Sequence, residues 1–256
     1  MKQLTLLSII VLLAIQSYAG GNNYAAQWEK GNSFYRQKQY DSAVACFEQI
    51  AALKPYNTEV YYNLGNAYFR LNKTGPAVLN YERALRADPD NKAAKDNLLV
   101  TQSRISNRIQ AGGDVFFIRW WQALTRPGNA NAWAIMALVS FTLLIVLIIF
   151  KRITKRGTYT LPVQVNGLLA LLFVCCFLFA YCAAANGRDN SSAVVMEKDA
   201  PLMNGELKGK PILLVPEGTT VHIKNEKGSW AEVSLPDGRS GWLQMSVLAR
   251  IMVKGI

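Results

Sequence analysis

The chain has 256 residues, 51% of them hydrophobic and 18% charged, with a net charge of +11. The excess is no nucleic-acid stripe, because its densest part is Lys151, Arg152, Lys155 and Arg156, with no acid among them, between two long apolar runs; that is a membrane-topology pattern. Four cysteines and a single histidine, His222, give no disulfide framework, zinc set, HExxH, phosphate loop or GxSxG, so no catalytic, metal-binding or cofactor-binding residue is expected.

In chain order, residues 1–19 open with Lys2, continue through an apolar core from Leu4 to Ile15, and end in Ser17-Tyr18-Ala19 before Gly20. Small residues at 17 and 19 suit a signal peptidase, and the core is short for a spanning helix. Export is the expectation; an uncleaved anchor would place residues 20–110 on the same side.

Residues 20–110 carry one pattern twice at an offset of 34 residues: Gly31-Asn32…Phe34…Tyr40…Ala43…Phe47…Pro55, then Gly65-Asn66…Tyr68…Ala77…Tyr81…Ala84…Pro89. Helical hairpins of that period cannot bury their apolar faces alone and stack on one another, leaving a curved surface for another polypeptide. Gly31 and Gly65 mark close helix approaches, Phe47 and Tyr81 fill the space between repeats, and Pro55 and Pro89 end the second helices. The pattern resembles the tetratricopeptide repeat (TPR) family, with repeats at about 24–57 and 58–91 and a capping helix at about 92–108. Two departures stand out: Trp28 lies one residue late, and Thr74-Gly75 replaces the usual aromatic at the inter-helix turn. Trp28, Asn32, Tyr35 and Arg36 recur one period later as Tyr62, Asn66, Phe69 and Arg70. Their spacing puts each set on one helical face. In TPR proteins that face lines the groove, where asparagine amides grip a peptide backbone and arginines pair with carboxylates. Asn63 is a weaker candidate.

Residues 111–131 gather Phe116, Phe117, Trp120 and Trp121 just before an uncharged run at 132–150. Indoles favour the headgroup layer, so this is expected to be an interfacial segment; the alternative is a buried helix finishing the stack. Residues 132–150 and 161–185 are each long and apolar enough to span a bilayer, and the basic turn at 151–160 belongs in the cytoplasm by the positive-inside rule. Both flanks then face outward, on the periplasmic side of a bacterial inner membrane.

Residues 186–256 change to short alternating strands such as Thr220-Val221-His222-Ile223-Lys224, separated by Glu217-Gly218, Lys227-Gly228 and Pro236-Asp237-Gly238. A small barrel is expected, and the order ending in Gly241-Trp242-Leu243 resembles bacterial SH3 domains. The acidic, tyrosine-rich loop of eukaryotic SH3 domains is not evident, so PxxP binding is not carried over. His222 should point to solvent. Cys46 could serve a thiol sensor only in a low-pKa environment that the sequence does not display.

The fold class expected is therefore a multidomain membrane protein: α-helical TPR hairpins, two transmembrane helices and a small all-β SH3-like barrel. This order of parts resembles the BatE-like TPR members of the Bacteroides aerotolerance (Bat) system. That resemblance implies protein partners, namely von Willebrand A-domain membrane proteins and a MoxR-type AAA+ ATPase. The function expected is a non-enzymatic scaffold of an envelope complex, of the aerotolerance or stress type. The alternative is a peptidoglycan-binding sensor or accessory of a cell-wall hydrolase.

Overall fold

A computed structural model describes residues 24–53, 57–110, 112, 116–153, 163–205 and 210–251. The export segment at 1–19 and most of the basic turn at 151–160 lie outside the described residues. The chain forms two compact units, Met1–Gly112 with Asn190–Ile256, and Gly113–Asp189.

The first unit begins with five helices: α1 (24–36), α2 (Tyr40–Leu53), α3 (Thr58–Arg70), α4 (Thr74–Ala87) and α5 (Lys92–Ser103). Asn57 and Asn91 cap α3 and α5, their Oδ1 atoms accepting from the Val60 and Ala94 amides at 3.0 and 2.9 Å, which satisfies donors that a helix start leaves open. The turns closing α1 and α3 each carry one left-handed residue, Lys38 (φ 61°) and Asn72 (φ 58°), one period apart. A Cβ on Gly31 would lie 2.7 Å from the Phe47 ring, and one on Gly65 would lie 2.6 Å from the Tyr81 ring. Each aromatic therefore seats on the glycine of its own hairpin. Around these seats a core of Ala43, Phe47, Ile50, Val60, Leu64 and Ala67 closes the stack.

The same unit ends in a β region of strands β1 (Ser192–Val195), β2 (Ala200–Leu202), β3 (Leu213–Val215), β4 (Thr220–Lys227), β5 (Trp230–Ser234), β6 (Ser240–Gln244) and β7 (Leu248–Arg250). They form a five-stranded sheet ordered β6-β5-β4-β1-β7 and a two-stranded sheet β2-β3. Every pairing is antiparallel. Gly241 lets β2 cross closely over β6: a Cβ there would meet Leu202 at 2.7 Å and the Met203 carbonyl at 2.8 Å. Met203 and Trp242 bridge the two sheets at that crossing. Ala193, Val195, Leu202, Val215, Val221, Val233 and Leu243 fill the interior. His222 alternates out to solvent, against the Ser191 hydroxyl.

The repeats and the β region share a core. Val194 and Ile251 pack with Ala77, Val78, Tyr81 and Leu98, so β1 is buried on both faces: Ala193 and Val195 point into the sheet interior and Val194 into α4. Polar contacts tie the seam. The Gly75 amide donates to Glu217 Oε1 at 2.7 Å, and Thr220 Oγ1 donates to Glu82 Oε1 at 3.3 Å. Arg83 donates through Nε to the Ile251 carbonyl at 3.2 Å and through Nη2 to the Arg250 carbonyl at 3.1 Å. The glycine that breaks the repeat consensus is thus the point where the β region arrives. A Cβ on Gly75 would sit 2.9 Å from Glu217 and 3.2 Å from the Val195 carbonyl. Lys73, the residue before α4, provides no side-chain cap, and Glu217 supplies one from 142 residues away.

The second unit holds α6 (Phe116–Leu124), a 3-10 turn (Pro127–Asn129), α7 (Ala130–Ile153) and α8 (Val163–Arg188). Ala137 and Ser140 of α7 and Cys176 and Ala183 of α8 are buried, and small side chains are what let apolar helices approach closely. Two stretches, Ala130–Phe150 and Gln164–Gly187, are long and apolar enough to cross a membrane, and only 11% of each is buried. The Trp133 indole donates to the Leu124 carbonyl at 2.8 Å and Asn186 Nδ2 to the Thr125 carbonyl at 3.1 Å. Trp121 and Trp133 both pack on Phe179. These contacts fix α6 to the helix pair and leave Phe116 and Trp120 outward, 77% and 59% exposed.

Candidate protein-binding groove

Two asparagine pairs recur along the first helices of the hairpins. Asn63 Nδ2 donates to Asn32 Oδ1 at 3.4 Å. One period on, Asn97 Nδ2 donates to Asn66 Oδ1 at 2.8 Å, and the same Asn66 oxygen accepts from the Tyr81 hydroxyl at 2.7 Å. Asn97 also reaches the Tyr62 oxygen at 3.3 Å. Each mutual bond joins the second asparagine's Nδ2 to the first one's Oδ1, and an amide carries two donor hydrogens and an acceptor oxygen. Nδ2 of the first asparagine and Oδ1 of the second stay open among the described residues, matching the carbonyl and N–H of an extended backbone.

Tyr35, Asn66, Phe69, Arg70, Tyr81, Asn97 and Val100 line a depression of about 160 Å³ at the second pair. Burial pushes the Tyr35 phenol up, with the Arg70 charge opposing it. The Arg70 guanidinium lies 5.3 Å from the Tyr40 ring, and Arg104 stacks 3.9 Å over Phe69. Arg36 and Arg70 are exposed, and among the described residues neither is in an ion pair with an acid.

Of the eight residues singled out from sequence, the structure brings Tyr35, Asn66, Phe69 and Arg70 around this depression, with Tyr62 touching its asparagine pair. Asn32 belongs to the first pair, and Arg36 is exposed on the same helix. Trp28 goes elsewhere: its ring stacks on Tyr24 and tilts against Phe47 in the hairpin core. Tyr81, Asn97 and Val100 complete the wall and were not singled out. Asn97 was legible, since it stands one period after Asn63. The capping helix lacks the glycine and aromatic marks of the full repeats.

Comparison with known proteins bears on the helical repeats. The family described as "TPR repeat" matches residues 31–72, and "Tetratricopeptide repeat" matches residues 58–91. The chain is 31% identical over 94 residues to the chloroplastic tetratricopeptide repeat domain-containing protein PYG7 of Arabidopsis thaliana, covering 36% of this chain and 31% of that protein. It is 26% identical over 109 residues to sperm-associated antigen 1 of Mus musculus, covering 43% of this chain and 12% of that one. Among solved structures, the first TPR of Spaghetti (RPAP3) bound to HSP90 peptide SRMEEVD matches at 25% identity with a TM-score of 0.23, covering 32% of this chain and 92% of that chain. The chain thus spans less than a third of the length of either relative. Within it, residues 31–91 are tetratricopeptide repeats, modules of protein–protein interaction. They share their chain with two long apolar helices and a C-terminal β region.

Proposed function

We propose that this protein is a non-enzymatic, membrane-anchored scaffold whose repeat groove holds an extended segment of a partner protein. The observation that carries the reading is the asparagine pair repeated at one period beside open arginines. Such a surface binds backbone through the amides and acidic side chains through Arg36 and Arg70. The anchor is the α7–α8 pair. Its outward faces are apolar and little buried, and helices apolar all round need lipid or protein cover. Helix α6 lays its phenylalanines and indoles along the outer interface.

The C-terminal region acts as an SH3-like barrel, a reading supported by its short antiparallel strands, the closing Met203–Trp242 bridge and the glycine that permits it. The loop carrying Lys155 and Arg156 faces the cytoplasm, and the repeats and barrel face the periplasm. The assembly served is an envelope complex of the aerotolerance or stress type, with von Willebrand A-domain membrane proteins and a MoxR-type ATPase as partners.

The test is gentle detergent extraction of the tagged chain from its native membrane, with mass spectrometry of co-purifying proteins. Wild type is compared with Asn66→Ala/Arg70→Gln/Asn97→Ala. Partners lost from a folded, membrane-inserted variant are the expected result. Partners retained in full by that variant would remove the groove from the function.

A further inference from the structure

Helix α3 faces two depressions. Asn66 and Phe69 look into the groove, whereas Tyr61, Leu64 and Tyr68 look into a second cleft of about 380 Å³ between α2 and α4, closed by Met196 of the β region. A volume of that order suits a small ligand or an anchoring residue. Ala51, Ala52, Leu64, Leu79 and Met196 give it apolar walls, and Asn80 and Arg83 give it polar ones. The Glu48 carboxylate accepts from the Tyr68 hydroxyl at the rim.

Arg83 is the unusual group. It is partly buried, its guanidinium lies 5.8 Å from the Tyr61 ring, and its hydrogen-bond partners are two main-chain carbonyls. Among the described residues it is in no ion pair, and its Nη1 donors have no acceptor. Buried cations are ordinarily paired with an anion, and burial pulls this one below the usual arginine range. Asn80, only 4% exposed, spends its Nδ2 on the Pro76 carbonyl at 2.8 Å. Its Oδ1 has no donor among the described residues. Asn80 and Arg83 are three residues apart on α4, hence neighbours on one helical face. The cleft therefore offers, side by side, a free cationic donor, a free acceptor and an apolar wall. A chain terminus carries the complement in one residue: a carboxylate, an amide N–H and a side chain. An internal acidic residue separates its carboxylate from its backbone N–H by a flexible stem.

We infer that this cleft, built jointly by the repeats and the β region, is a second binding site that captures the aliphatic C-terminal residue of a partner polypeptide. The carboxylate pairs with Arg83, the terminal N–H donates to Asn80 Oδ1, and the side chain lies between Leu64, Leu79 and Met196. The site is separate from the asparagine groove, so the two readings stand or fall independently.

Calorimetric titration of the full chain in detergent tests it with three probes: the acetylated tripeptide Ala-Ala-Leu as free acid, the same peptide as carboxamide, and isovalerate. The free acid is expected to bind at least about 10-fold more tightly than the amide, as for loss of one charge-assisted hydrogen bond. Arg83→Gln should abolish that preference. Since Arg83 also holds the β region, Ala52→Phe provides the second variant: it fills the cleft from an exposed position and leaves Arg83 bonded to Ile251. It should weaken the free acid by a similar factor. Equal binding of acid and amide, isovalerate binding as tightly as the peptide, no saturable binding, or an unaffected Ala52→Phe would each overturn the proposal.

Discussion

Gly65 and Tyr81 act as one packing unit, because the ring occupies the volume a Cβ would need and its hydroxyl is tied to Asn66. Gly65→Ala gains about 1 kcal/mol of helix propensity and loses about 1–3 kcal/mol to overpacking. Tyr81 is fully buried and cannot swing away, so the loss should win. The midpoint of chemical unfolding should fall, and Asn97→Ala should not rescue it. Glu217 is a comparable unit at the seam, where its carboxylate meets an uncapped helix start. Glu217→Ala should cost about 1 kcal/mol, read as a lower Tm of the β region's near-ultraviolet signal, and Glu217→Gln should recover part of it. Glu82 is half-buried beside Thr220, and its removal from solvent raises its carboxyl above the usual range, with the Thr220 hydrogen bond and the Arg86 charge opposing. A raised folded-state value means that the protonated form favours the docked state. Its contribution is complete below about pH 4 and fades as pH climbs through the folded value. The wild type should therefore lose stability from mildly acidic to neutral pH relative to Glu82→Gln. Parallel Tm-against-pH curves for the two would rule this out.

At the scale of elements, the helical hairpins were readable because their marks recur at a fixed interval. Gly31 with Phe47 and Gly65 with Tyr81 are the same contact made twice, and a repeated contact leaves a repeated spelling. The first and second asparagine pairs were partly readable for the same reason. Position alone does not say which way an aromatic turns, and Trp28 packs its ring on Phe47. The docking of β1 on α4 was the least legible feature. Its residues lie more than a hundred positions apart in the chain, so no local period connects them. Two local signals were nonetheless present. Ala193-Val194-Val195 runs apolar without alternation, as a strand covered on both faces does. Thr74-Gly75 breaks the repeat consensus where Glu217 and Val195 need room. Val194→Asp would put an unpaired carboxylate against Ala77 and Val78 and leave the β interior untouched. Hydrogen exchange should then show the Gly75 amide losing protection, with β5 amides protected as before. Joint loss at both places would mean the β region cannot fold apart from the repeats.

At the scale of the whole molecule, one unit is assembled from two chain segments with the α7–α8 pair inserted between them. A shared core of Val194, Ile251, Val78 and Leu98 cannot form across a bilayer. If the inserted helices cross a membrane, they must do so an even number of times, and two spans meet that condition. In the proposed topology Lys151, Arg152, Lys155 and Arg156 lie on the cytoplasmic side, as the positive-inside rule asks. Single cysteines at Ser103 in α5 and Ser240 in β6, introduced in a background without the four native cysteines, should react with an impermeant maleimide from the outer face of intact cells. A cysteine at Thr158 should react only after permeabilisation. Labelling of Ser103→Cys and Ser240→Cys from opposite sides would be incompatible with their packing as one unit. Labelling of all three from outside would mean that α7 and α8 do not span the bilayer, and the anchor would then be an interfacial hairpin.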